Sequence, residues 1–210
     1  MNLKEQITEI LKRLKKEYPA PETALNFSNP FELLVATILS AQTTDVRVNK
    51  VTERLFKKYK SVKDYADADL DMLQKDINSI NFYRNKAKNI RAAAKIIVER
   101  FSSKVPKTMD ELITLPGVAR KTANIVLSNV YGINEGIAVD THVQRLSQRL
   151  GLTKNEDPIK IEKDLMLITS QKEWGNLSHL LIFHGRKVCQ AKNPKHNECV
   201  LYDICPSRNI

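Results

Sequence analysis

Leu115-Pro116-Gly117-Val118-Ala119-Arg120-Lys121-Thr122-Ala123 is the stretch from which the fold is read. Thr108 and Glu111 form a capping box ahead of it, so a short helix runs into Pro116-Gly117 and a second helix follows at once. A glycine at that corner permits a tight turn and lets the backbone come close to a phosphate. Amides at the start of the second helix then face the phosphate with a favourable dipole. This is the pattern of a helix–hairpin–helix, which holds DNA by its backbone and gives affinity without sequence choice. The competing reading is an ordinary corner between two helices.

Outward from the hairpin, the chain reads as helices throughout. Leu3, Ile7, Ile10, Leu11 and Leu14 fall on one helical face, and Tyr18-Pro19-Ala20-Pro21 ends that first helix. Asn29 caps the next one, Pro30 fits its first position, and Glu32 can return a bond to the cap. Phe31 through Ala41 is nearly all apolar, as in a buried helix. Further helices are predicted over 45–59, 61–67, 69–79, 84–102, 108–115, 120–131, 141–150, 158–170 and 173–185. No alternating strand pattern reaches a convincing length and no repeat recurs at a fixed period. The fold class is all-α.

Hydrophobic residues make up 42% of the 210, enough for a packed interior, and the formal net charge is +10. A chain this basic repels itself, and a polyanion such as nucleic acid is the usual compensation. No run of about 18 apolar residues is present to span a bilayer. Met1 to Tyr18 lacks the uninterrupted apolar core of a signal peptide, so an intracellular, cytoplasmic location is expected. Cys189, Cys199 and Cys205 are the three cysteines, an odd and clustered set that points to metal ligation over disulfides.

Three constellations beside the hairpin carry chemistry. Lys121 and Asp140 suit a nucleophile and its acid–base partner. An attacking amine must be neutral, and the ordinary lysine pKa of ~10.4 has to be pushed down by desolvation, nearby cations such as Arg120 and the helix terminus. Taken singly, Lys121 also reads as a phosphate contact, and Asp140 as the cap of the helix that follows Ala138-Val139-Asp140-Thr141-His142. Leu39-Ser40-Ala41-Gln42-Thr43-Thr44-Asp45 sets polar groups at the end of a buried helix. Ile80-Asn81-Phe82-Tyr83-Arg84-Asn85-Lys86 interleaves aromatics with cations, as in a wedge that enters a base stack. Both stretches also read as plain helix connectors. Cys189, His196, Cys199 and Cys205, spaced C-x6-H-x2-C-x5-C, let one short loop wrap one metal centre, an iron–sulfur cluster or zinc.

In this order and spacing, these features resemble the endonuclease III family over practically the whole chain. The most specific pieces are Leu115 to Asn124, Val139-Asp140-Thr141-His142 and His184-Gly185-Arg186. The resemblance implies a helix–hairpin–helix glycosylase fold: a six-helix barrel domain at 22–134, and an iron–sulfur cluster domain at 1–21 and 135–210, with a cleft between them. It implies a base-excision DNA glycosylase that removes oxidised pyrimidines and cuts the strand by β-elimination. Lys121 then attacks the sugar C1′ and forms a Schiff base, while Asp140 assists attack and stabilises positive charge on the sugar. Gln42 fills the gap left by an extruded base and Phe82 supplies the wedge. Asp45, Gly117, Ala119, Arg120, Thr122, His142, Lys192 and Lys195 are the further candidate DNA contacts. The partner is double-stranded DNA with damaged bases or abasic sites, bound by a monomer.

Three residues depart from the family pattern. Ala119 replaces the second glycine of the hairpin, Phe82 stands where an aliphatic wedge is common, and His196 stands where a cluster cysteine belongs. The cofactor expected is a 4Fe–4S cluster with His196 as one ligand, against zinc or no metal. An adenine-mismatch glycosylase lacks the nucleophilic lysine and carries a long extra C-terminal domain, whereas Lys121 is present here and the sequence ends at Ile210. A thymine-mismatch glycosylase usually replaces the lysine too. A non-catalytic hairpin module accounts for charge and hairpin but not for Lys121 with Asp140.

Overall fold

The computed structural model of the chain describes residues 2–19 and 21–208. Among these residues there are eleven α-helices, three single-turn 3-10 helices and no strand. The chain divides into two compact units, one being Thr23–Gly132 and the other Met1–Glu22 with Ile133–Ile210. No helix is long and apolar enough to cross a membrane.

The unit Thr23–Gly132 holds α2 (Pro30–Ser40), α3 (Asp45–Lys58), α4 (Val62–Asp67), α5 (Leu70–Asp76), α6 (Tyr83–Phe101), α7 (Met109–Leu112) and α8 (Arg120–Tyr131). α2 is its centre, because every residue from Phe31 to Leu39 except Glu32 is buried. It packs against α3, α6 and α8, while α4 and α5 lie on α6. The start of α2 differs in one bond from the expected box. Asn29 Oδ1 accepts from the Glu32 amide at 3.0 Å, but Glu32 Oε2 turns to the amide and hydroxyl of Ser28, each at 2.7 Å. Pro30 still starts the helix with its fixed φ.

The other unit holds α1 (Leu3–Glu17), α9 (Thr141–Arg149), α10 (Pro158–Ile168) and α11 (Trp174–Lys187). Ile7, Ile10 and Leu14 of α1 meet Val143 and Leu146 of α9, Ile161 and Leu165 of α10, and Leu177, Leu180 and Leu181 of α11. α1 ends at Glu17 with the buried Tyr18 as its cap; Ala20, part of the expected break, lies outside the described residues. Polar ties fasten α1 to the C-terminal segment. Arg13 grips Asp203 with two nitrogens, donates to the Val200 carbonyl at 3.1 Å, and Gln6 donates to the Leu150 carbonyl at 2.8 Å. A two-nitrogen arginine–carboxylate grip is the ion-pair geometry most able to order a loop.

The hairpin takes the expected form with a shorter first arm. α7 is one turn, and residues 113–116 continue it as turns. Thr108 Oγ1 accepts from the Glu111 amide, while the Glu111 carboxylate accepts a hydrogen bond from the Thr108 hydroxyl at 2.8 Å instead of reaching the cap's backbone. Gly117 turns the corner at φ +80°, and a Cβ there would lie 2.9 Å from Asn89 Cβ. Both the conformation and the space require glycine. Ala119, by contrast, is extended at φ −88° and ψ 167°, so the absent second glycine costs nothing there. Gly117→Ala is therefore expected to lower unfolding free energy by about 1–3 kcal/mol, from a left-handed side chain plus the Asn89 overlap, and Ala119→Gly to change it by less than about 1 kcal/mol. Urea unfolding of the two variants against wild type checks this.

Candidate active site

Lys121 occupies the first turn of α8, directly behind the Gly117 corner, and its side chain is exposed, as is that of Arg120. Thr122 beside it is half-buried. The N-cap Ala119 offers no side chain to the first amides of α8. A helix start left in that state is an anion site through its amides and dipole.

Asp140 is half-buried and caps α9. Its Oδ1 accepts from the amides of His142 at 2.8 Å and Val143 at 2.9 Å. The capping reading of Asp140 is thus correct, and it is compatible with a chemical one, because two amides fix the direction of the carboxylate. His142 follows on α9. Arg145 Nη2 stands 3.2 Å from His142 Nδ1 and donates to the Gly185 and Cys189 carbonyls at 3.0 Å each. Gly185 makes this possible, since a Cβ there would meet Arg145, His142 and Leu146 at 3.1 Å.

The two loops expected to touch bases lie together in the unit Thr23–Gly132. Gln42 is exposed with φ +55°, and Phe82 has φ +57° and is 61% exposed. Left-handed backbone at a residue other than glycine costs of the order of 1–3 kcal/mol and persists where the surroundings hold it. Asn81 joins the loops, donating from its backbone to Thr43 Oγ1 at 3.3 Å and from its side chain to the Gln42 carbonyl. Beneath them Lys86 is buried, and burial pulls its pKa down to about 8. Asp45, half-buried, is the first residue of α3.

Cys189, His196, Cys199 and Cys205 line one hollow, closed by the apolar Val188 and Pro194, by Tyr202, and by Arg149. Arg149 Nη1 donates to Cys189 Sγ at 3.3 Å and to the Gln190 carbonyl at 2.7 Å, and Nη2 donates to the Ala191 carbonyl at 3.1 Å. His184 Nε2 lies 3.4 Å from Cys199 Sγ, and its Nδ1 lies 3.2 Å from the Tyr18 hydroxyl. Burial pushes His184 down to about 4 and the Cys199 and Cys205 thiols up. Among the described residues, no group of three or more His, Cys, Asp or Glu stands close enough to hold a single metal ion. Lys192 and Lys195 are exposed on the same loop, and Lys195 pairs with Glu198 at 3.1 Å.

Four residues escaped the sequence reading. Arg145 and Arg149, four apart on α9, donate to carbonyls of the cysteine-bearing segment, and their residue type alone does not signal it. His184 was visible only as part of a motif. Lys86 sits among cations, but its spacing to Ile90, Ala93 and Ile97, the buried face of α6, was the available signal.

Residues 35–171 match the HhH-GPD superfamily of base excision DNA repair proteins. Endonuclease III of Synechocystis sp. is 55% identical over 204 residues, covering 97% of this chain and 93% of its own length. Endonuclease III of Bacillus subtilis is 48% identical, covering 98% and 93%. The chain belongs to the endonuclease III family. As a member of it, the protein is a base-excision repair enzyme, a DNA glycosylase with AP lyase activity acting on damaged bases. The family carries a 4Fe–4S cluster. A solved endonuclease III, trapped as a covalent intermediate with DNA, superposes with a TM-score of 0.93 at 44% identity, covering 99% of this chain and 98% of that one. A thermostable thymine-DNA glycosylase shares the fold at a TM-score of 0.86 with 18% identity, over 98% and 96% of the two chains.

Asp140→Ala should cost about 1 kcal/mol of stability through the lost cap, and Asp140→Asn only a few tenths, because asparagine caps as well. Chemical unfolding of both variants measures it, and equal losses would show that Asp140 stabilises by something other than its cap.

Proposed function

We propose that this endonuclease III relative removes oxidised, ring-saturated pyrimidines from duplex DNA, with Lys121 as the nucleophile and Asp140 as its charge and proton partner. The observation that carries the reading is the exposed Lys121 amine in the first turn of a helix whose cap leaves its amides to an anion. A phosphate drawn to Gly117, Ala119, Arg120 and Thr122 brings the neighbouring sugar toward Lys121. A solved relative trapped covalently on DNA, 44% identical, supports a covalent route.

The neutral amine of Lys121 adds to C1′ as the bond from C1′ to the base breaks, and the base leaves with the electron pair and takes up a proton. The Asp140 carboxylate stabilises the positive charge that builds on the sugar. Opening of the sugar ring leaves a Schiff base between C1′ and Lys121. Loss of a proton from C2′ then expels the phosphate at C3′, cutting the strand on the 3′ side of the lesion, and water releases Lys121. Gln42 and Phe82 fill and wedge the duplex around the vacated base, which offsets part of the cost of flipping, a few kcal/mol. His142 and Asp45 serve as further contacts.

Cys189, Cys199, Cys205 and His196 would hold the family's 4Fe–4S cluster, whose contribution here is to order the loop that carries Lys192 and Lys195 to the DNA backbone. Three soft sulfurs and an imidazole around an apolar hollow suit that group. Zinc asks for donors converging to about 2.0–2.3 Å on one point, and the four side chains instead ring the hollow. In this reading Thr23–Gly132 is the barrel domain and the remainder the cluster domain. The enzyme works as a monomer on the cytoplasmic, nucleoid DNA.

Lys121→Gln should abolish borohydride trapping on an abasic duplex and all strand cleavage while binding persists; trapping at the wild-type rate would remove Lys121 from the role. Asp140→Asn should slow excision about 10²–10⁴-fold, the range of a lost acid–base group. Anaerobically purified protein should be brown with iron and sulfide, and His196→Cys should keep the colour and lower the reduction potential, since imidazole in place of thiolate raises it. Stoichiometric zinc without iron would contradict the cluster.

A further inference from the structure

A single buried amine fastens the end of α2 to the start of α6. Lys86 Nζ donates to the carbonyl of Leu39 at 2.8 Å and to that of Ala41, and lies 3.5 Å from Thr43 Oγ1. An ammonium carries three hydrogens, and here three acceptors from one short stretch, residues 39–43, meet them. The two carbonyls belong to the end of α2, whose last turn has no intrahelical donors left and favours a cation. Lys86 itself rises from the start of α6, one turn beyond the cap Phe82, and its amide donates to the Phe82 carbonyl at 3.1 Å. Asn81 adds two ties between the same stretches, to Thr43 Oγ1 and the Gln42 carbonyl.

Gln42 and Phe82 both hold left-handed backbone although neither is glycine, and Phe82 is largely exposed. Such conformations persist only where the surroundings over-determine them. Packing of these exposed side chains does not supply that constraint; the hydrogen bonds from Lys86 and Asn81 do. Burying an amine is unfavourable, and a methionine of similar length would fill the space without that cost. The amine stays because the end of α2 needs its charge and its donors.

We infer that Lys86, with Asn81, is a positioning residue for lesion engagement, clamping residues 39–43 to the start of α6 so that Gln42 and Phe82 are held ready before DNA arrives. The inference rests on the reading that Gln42 and Phe82 enter the duplex. Loops fixed in the binding conformation have less freedom to lose on contact, so the clamp acts on the duplex and not on the bond-breaking steps.

The test uses the full-length protein in single-turnover excision of one lesion, placed in a duplex and in single-stranded DNA, where nothing has to be pried open. Lys86→Met should slow duplex excision about tenfold or more, the scale of one lost hydrogen bond to a charged group, and leave the single-strand rate within about twofold. Asn81→Ala, at an exposed position where folding is not at stake, should show the same duplex-selective loss in smaller degree. Gln42→Ala with Phe82→Ala should be duplex-selective as well, and adding Lys86→Met to that pair should cost nothing further, since residues acting as one unit are not additive. Equal losses on both substrates for Lys86→Met, or full additivity, would overturn the clamp while the insertion reading stands. A Gln42, Phe82 double variant without duplex selectivity would overturn the insertion reading and the clamp with it.

Discussion

A left-handed corner at Gly117 underlies the presentation of Lys121. At φ +80°, with Asn89 Cβ 2.9 Å from where a Cβ would stand, the chain reverses in a space that admits only glycine. The reversal starts α8 with amides that Ala119 does not cap, and the dipole of α8 adds positive potential at the same point. The uncapped amides and the placing of the Lys121 amine follow from that one corner. The buried α2 packs on α8 behind that corner. No sequence-reading side chain is required for this, which suits an enzyme that must find damage in any sequence.

Several residues proposed to act on DNA or to hold the cluster loop also hold the fold. Asp140 caps α9 with the carboxylate proposed to steady the sugar's charge. Lys86 closes the end of α2 with the amine inferred to hold the base-contacting loops. Arg149 reaches from α9 to Cys189 Sγ and to the carbonyls behind it, so the cysteine loop is tied to a helix by the protein's own bonds. Exchanging such residues changes activity and stability together. Conservative replacements that keep the hydrogen bond while removing the charge or the nucleophile are needed to tell the two apart.

The helices were legible because this sequence marks its starts and its faces. Asn29-Pro30 and Asp157-Pro158 open α2 and α10 as their residues suggest, and the apolar period of α1 matches its buried face. Bonds that depend on tertiary placement were not legible. Glu32 and Glu111 carry the right spacing for a returned cap bond, yet each carboxylate found a nearer hydroxyl. Lys86 is chemically a surface residue, and only its three-dimensional neighbours make it a buried tie. The strain at Gln42 and Phe82 has no signature in residue type, since glutamine and phenylalanine rarely adopt left-handed backbone.

The amine behind the Gly117 corner is the one proposed to bond to the sugar. The direct measurement is to trap the enzyme on an abasic duplex with borohydride, digest the adduct, and locate the sugar remnant by mass spectrometry. The remnant should sit on Lys121 alone. A remnant on Lys86, on another lysine or on the amino terminus would contradict the account.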